Sequence, residues 1–286
     1  DASAAATASA AVLAGAINAP SPRPSAGFAM TGDHSEGAAP KGSVGMGARP
    51  HWPKSRLCGY KTAMSHLFGR LSLWIDPVQR DGPAQMACDE VLLAHARGPV
   101  LRVFRWTGPW VSIGYFVPWR EAGATQPGTP VCRRWTGGGV VVHDGDFTFS
   151  LVAPRTESWS VLRPDESYRV LHLALASALE DAGCEAVLFD QEARGGASCF
   201  AGPVRYDVVD GTRKIAGGAQ RRTKRGLLHQ GSIRQKGLES GFGQRLAASL
   251  AAETDRWSPP ENFEAETTDL QASKYGRDEF LRKERP

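Results

Sequence analysis

The chain has 286 residues, 41% hydrophobic and 22% charged, with a formal net charge of +4. No window approaches the roughly 18–20 uninterrupted apolar residues of a membrane-spanning helix, so the composition excludes one. A charge of +4 spread over this length leaves no nucleic-acid footprint. What remains is an ordinary globular class of one to two domains.

In chain order, the first 50 residues hold 15 Ala, 7 Gly, 5 Pro and 6 Ser. They offer too few large apolar side chains to offset the entropy of ordering, so residues 1–70 read as a disordered low-complexity extension. A secretory signal at Ala10 to Ala19 lacks the basic flank, and upstream sequence ahead of a start at Met64 is another account of this stretch. Periodic structure begins with Leu71 to Ile75, a strand. Asp81-Gly82-Pro83 then caps a helix carrying Met86, Leu92, Leu93 and His95. Val100 to Trp106 and Trp110 to Phe116 read as strands, and Val140 to His143 with Phe147 to Ala153 as a hairpin turning at Asp144-Gly145-Asp146. Pro164 to Ala182 is a helix closed by Gly183. Strands follow at Val204 to Val209, Arg213 to Ile215 and Leu227 to Ile233, and helices at Gln244 to Glu253 and near Leu270. Strands and helices mix without regular alternation, which predicts one α/β domain of the α+β, mixed-sheet kind over residues 71–286.

The five cysteines, Cys58, Cys88, Cys132, Cys184 and Cys199, are scattered and form no CxxC pair, as expected of reduced thiols in a cytoplasmic protein. Cys88, Cys132 and Cys184 read as packing residues. Cys199, flanked by Gly195, Gly196, Ala197, Ala201, Gly202 and Pro203, sits in a loop, as a nucleophile or an incidental thiol. Arg133 and Arg134, with Thr136, Gly137, Gly138 and Gly139, suit either a phosphate or carboxylate site with close backbone approach, or a glycine-rich hairpin with two solvated arginines. Lys214 precedes the small-residue stretch Gly217, Gly218, Ala219 and Gln220. It could reach an acyl carbonyl or a phosphate from across a turn, or be merely solvated. His143 beside Asp144, and His229, have no metal-ligand spacing around them and read as satisfied strand histidines, so no metal is expected.

Together these residues resemble the biotin/lipoate protein ligase superfamily in its lipoate A/B branch. Met86-Ala87-Cys88-Asp89-Glu90 is similar to the family's early helix, and Arg105-Trp106 through Ser112-Ile113-Gly114-Tyr115-Phe116 to its strand pair. Arg133-Arg134-x-Thr136-Gly137-Gly138-Gly139-x-Val141-x-His143-Asp144 resembles its glycine signature, and Lys214-Ile215-Ala216-Gly217-Gly218-Ala219-Gln220 its lysine segment. The family's Gln-His-Gly stands here as His229-Gln230-Gly231. Cys199-Phe200, followed by Tyr206-Asp207-Val208, resembles the cysteine-dependent octanoyltransferases. The resemblance implies a thioester on Cys199 taken from acyl carrier protein, with Lys214 as its electrostatic partner. The acyl group would pass to a lysine on a lipoyl domain of a 2-oxoacid dehydrogenase or on the glycine-cleavage H protein. It implies a substrate site from Arg133, Arg134, Thr136, Gly137, Gly138, Gly139, His143, Asp144, Gly217, Gly218, Ala219, Gln220 and His229, and an acyl tunnel near Val140 to Val142. That route needs no cofactor. The alternative, an ATP-dependent lipoate-protein ligase working through lipoyl-adenylate, would need ATP and Mg. A module that binds lipoyl domains or acyl chains without chemistry is the third reading.

Overall fold

A computed structural model describes residues 66–120, 126–191, 202–238 and 241–284. The expected disorder of the front and the loop around Cys199 lie outside these residues. Among the described residues no helix is long and apolar enough to cross a membrane.

The first apolar run extends back to Phe68, giving β1 (Phe68–Ile75). After it comes α1 (Gly82–His95), which starts where the sequence places its cap: the Asp81 carboxylate accepts the Ala84 N–H at 2.8 Å, and a proline occupies the first turn. β2 (Val100–Phe104), β3 (Trp110–Ile113), β4 (Val131–Arg133), β5 (Val140–His143) and β6 (Phe147–Pro154) follow. Two helices come next, α2 (Ser158–Val161) and α3 (Pro164–Asp181). Then come β7 (Val187–Leu188), β8 (Val208–Asp210), β9 (Arg213–Arg222) and β10 (Gly226–Ile233). The last elements are α4 (Phe242–Leu250), β11 (Ala251–Arg256), α5 (Phe263–Leu270), a π turn (Gln271–Tyr275) and α6 (Asp278–Leu281).

Eight strands form one sheet in the order β11-β1-β2-β6-β10-β9-β8-β7, and β4-β3-β5 form a second. β11, β1 and β2 pair in parallel and the rest of the large sheet is antiparallel, so the mixed α/β sheet is as expected. Cys88, Val91 and Leu92 of α1 pack on Trp74, Val100, Val152 and Leu228 of the sheet and on Phe263 of α5. Each such fully buried aliphatic side chain contributes about 1.5–3 kcal/mol. α3 packs against β7, β8 and β9.

Several expectations are corrected. β5 and β6 are not a hairpin: β5 pairs with β3 while β6 pairs with β2 and β10. The split lets Val140 pack with Val111 and Ile113 while Val152 packs under α1. Strand structure ends at Phe104 and Ile113, short of Trp106 and Phe116. Val204 to Asp207 form a turn closed by the Asp207 side chain, so only Val208–Asp210 is strand there. Residues 251–253 continue not as helix but as the exposed edge strand β11, recruited by parallel pairing with β1. The small-residue stretch after Lys214 is no turn, because β9 runs unbroken through it. Cys184 is half-buried rather than packed in the core, and of the residues after it Ala186 is buried while Val187 is exposed.

Candidate functional site

The site is built on the edge of β9. β8 pairs with β9 only as far as Ala216, and the register shifts between Val208 and Val209 leave an extra β9 residue at this point. Beyond it the β9 edge is open to side chains. Lys214 Nζ lies 2.8 Å from Asp207 Oδ2, the lysine half-exposed and the aspartate fully buried. Asp207 also accepts the Val204 N–H at 2.7 Å on Oδ2 and the Tyr168 hydroxyl at 2.8 Å on Oδ1. Tyr168, from α3, accepts the Gly218 N–H in turn at 3.0 Å. Burial, then the neighbouring Asp207 carboxylate, pushes this phenol well above its ordinary range, so it is a fixed neutral donor. Tyr206, just before Asp207, has a left-handed φ of 71°, a conformation costing about 1–3 kcal/mol outside glycine. The Tyr206 backbone is tied at both ends, its N–H to the Phe189 carbonyl and its carbonyl to His172 Nδ1 at 2.8 Å.

Both glycines of the lysine segment have a steric reason. A Cβ on Gly217 would stand 2.5 Å from Lys214 Cε and 2.8 Å from Asp207 Oδ1. One on Gly218 would stand 2.3 Å from His229 Nε2. Ala219 faces the glycine loop, at van der Waals distance from where a Gly138 Cβ would be. The two small-residue motifs are therefore brought together.

The glycine loop is fixed from behind. Gly138 has φ 79°, and a side chain on Gly114 would collide with its carbonyl. Arg134 donates to the carbonyls of Ser112, Gly137 and Gly139 at 2.8–3.0 Å. Arg133 donates to the carbonyls of Gly114, Tyr115, Val117, Phe280, Leu281 and Lys283. Both guanidinium groups thus shape the loop and the C-terminal segment. Thr136 donates to Gln230 Oε1 at 2.7 Å, and Gln230 Nε2 donates to Asp89 at 2.7 Å. Asp89 accepts from Ser150 and from the fully buried Arg102, which also holds Asp76 and Gln85. One polar network therefore joins α1, β2, β6, β10 and the glycine loop.

His143 is not beside Lys214. Its ring bonds Ser112 Oγ and Asp146 Oδ2, both at 2.8 Å, and stacks on Trp106. Burial lowers its pKa, while Asp146 is held below its usual range, despite burial, by hydrogen bonds from His143, Ser232 and Thr148. Asp144 is exposed and outside this network. His229 and Gln220 lie toward α3: Gln220 Oε1 accepts from Ser167, and His229 packs against Tyr168, His172 and Phe149. Among the described residues neither His229 ring nitrogen, nor His172 Nε2, has a hydrogen-bond partner. Burial pushes His229 well below its ordinary range and His172 down to about 4, so both are neutral at neutral pH.

Of the cysteines, Cys88 and Cys132 are buried and their thiols are pushed up to about 12, so neither is a thiolate. Among the described residues no group of His, Cys, Asp or Glu could hold a metal ion. Asp207, Tyr168, Asp146 and Gln230 are site residues that no motif in the sequence singles out. Asp207 carried the one available signal, a carboxylate entering an apolar strand.

A model of the lipoyl protein ligase A/B catalytic domain matches residues 81–272. The octanoyltransferase LipM of Kyrpidia tusciae is 36% identical over 167 residues, 52% of this chain and 60% of that protein. LipM of Staphylococcus aureus is 34% identical over 179 residues, 57% of this chain and 65% of its own. The chain thus spans under two thirds of these relatives' length. Among solved structures, a lipoate-protein ligase A bound with ATP superposes with a TM-score of 0.61 at 21% identity, covering 75% of this chain and 98% of that one. A bi-partite lipoate protein ligase from Thermoplasma acidophilum gives 0.54 at 22%, covering 77% and 99%. With the matched domain spanning α1, the glycine loop, the Lys214 strand and α5, the chain belongs to the lipoyl protein ligase A/B catalytic domain family.

Proposed function

We propose that this protein is an octanoyltransferase. The Cys199 thiolate attacks the thioester carbonyl of octanoyl-acyl carrier protein and the carrier's thiol leaves. The lysine amine of a lipoyl domain or of the glycine-cleavage H protein then attacks the Cys199 thioester, forming the amide and releasing the thiolate. A thioester exchange followed by aminolysis needs no ATP. The observation that carries the reading is the Lys214 ammonium, half-exposed and pinned by the buried Asp207 at an open strand edge. The Val204 N–H bonded to that same carboxylate lies five positions after Cys199 in the chain. An ammonium so held favours a thiolate beside it and polarises an acyl carbonyl. The LipM relatives support the substrate class. The glycine loop, Ala219 and the β5 face near Val140 to Val142 would border the acyl chain.

The test is intact-protein mass spectrometry after mixing with octanoyl-acyl carrier protein without ATP. The expected result is one octanoyl adduct, removed by hydroxylamine and absent from Cys199→Ala, with transfer lost in Lys214→Ala. No adduct, together with adenylate formation from lipoate and ATP, would replace the transferase with the ligase. Binding of carrier protein with no turnover of either kind would leave a binding module.

A further inference from the structure

Arg221, two residues past Ala219 on the same face of β9, has no carboxylate partner and no hydrogen bond among the described residues, and its Nε is buried without an acceptor. Its guanidinium lies 5.2 Å from the Tyr115 ring and 5.0 Å from the Trp135 ring. Lys274 Nζ lies 4.6 Å from the same Trp135 ring, and Lys283 Nζ meets the Tyr115 hydroxyl at 3.0 Å. The Lys283 hydrogen bond and the charges of Lys283, Arg221 and Lys274 draw the Tyr115 phenol below its ordinary range, against the effect of burial. Among the described residues Glu90 is bonded to Lys274, and Glu279, paired with Arg277, lines the cleft beside Lys274 and Lys283, which leaves Arg221 and Lys283 without a carboxylate partner. Clefts of about 270 and 310 Å³ flank the cluster, one lined by Trp135 and the other by Lys274 and Lys283. Two unpaired cations, Arg221 and Lys283, with Lys274 beside them on an aromatic floor, suit a dianionic or diester phosphate.

The position along β9 fits one kind of phosphate. Lys214 Nζ lies at the level of Gly217 and on the face that Gly217 shares with Ala219 and Arg221. Four residue steps along the strand lead from Gly217 to Arg221, about 13 Å at the usual rise. A pantetheine arm has the backbone length of four to five peptide units and so reaches about 16 Å when extended. Its thioester could stand at Lys214 with its phosphate at Arg221.

We propose that Arg221, Lys274 and Lys283, around Tyr115 and Trp135, form the phosphate site for the pantetheine arm of the thioester donor. The assignment of the arm rests on the transfer reading above. The test is calorimetric titration of the full chain with 4′-phosphopantetheine, pantetheine and ADP. Phosphopantetheine should bind at least about tenfold tighter than pantetheine, and Arg221→Gln and Lys283→Ala should each cut that ratio to below about threefold. Lys283, near the C-terminal end, keeps the test informative if Arg221→Gln destabilises the fold. Equal affinity for the phosphorylated and unphosphorylated arm overturns the site. ADP binding as tightly as phosphopantetheine, with the same dependence on Arg221, overturns the arm and gives the site to nucleotide phosphates. Retained phosphate preference with no acyl-enzyme would instead sink the transfer reading alone.

Discussion

Gly217 shows how narrowly the site is drawn at the level of single atoms. A methyl group there would overlap Lys214 Cε, Nζ and the Asp207 carboxylate, all within 2.8 Å. The backbone cannot yield, because Gly217 is paired to Ser232 of β10. The lysine chain is the flexible partner and would swing away from Asp207. Gly217→Ala should still fold, at some cost in stability because the buried Asp207 carboxylate must also shift, while octanoyl transfer falls on the order of a hundredfold, the usual consequence of ångström-scale misplacement. Single-turnover transfer rates and melting curves on the same samples check this. Wild-type rates in the variant would show that the 2.8 Å pairing of Lys214 is dispensable.

Between elements, the decisive contact is Gln230, which ties the glycine loop through Thr136 to α1 through Asp89. Gln230→Leu would leave the buried Asp89 Oδ2 without its donor and Thr136 without its acceptor. The expected loss is about 3 kcal/mol in urea unfolding, from two stranded polar groups, one of them charged. A loss below about 1 kcal/mol would mean that Arg134 alone fixes the loop. This dependence also explains what could be read from the sequence. α1 and α3 were legible because caps and apolar periodicity are local. β11 and the separation of β5 from β6 were not, because pairing partners far along the chain decide them. The glycines after Lys214 suggested a turn, and only the approach of Lys214 and His229 shows why a straight strand needs them. The lysine and the glycine loop were legible as motifs. Asp207 and Tyr168 were not, since nothing in their spacing says that a turn and a helix converge on one ammonium.

At the scale of the whole molecule, three histidines among the described residues, His143, His172 and His229, are folded in their neutral form, and that sets a pH dependence of stability. Burial lowers His143, takes His172 to about 4 and pushes His229 well below its ordinary value. In the unfolded chain each titrates near 6.5. Between the folded and unfolded values the unfolded state binds more protons, so unfolding free energy falls as pH falls. The stability is complete above about pH 7 and is lost progressively below 6.5. For a group moving from 6.5 to about 4, the loss between pH 7 and pH 5 is about 2 kcal/mol. His172→Gln removes that proton uptake, so its stability should fall about 2 kcal/mol less over the same interval, whatever its stability at pH 7. The interval stops at pH 5 because carboxylates held low by hydrogen bonds, such as Asp146, add their own acid loss below it. Urea unfolding of both proteins at the two pH values gives the comparison. Parallel losses would mean that His172 takes up its proton in the native fold, and that the space between α3 and β10 admits charge.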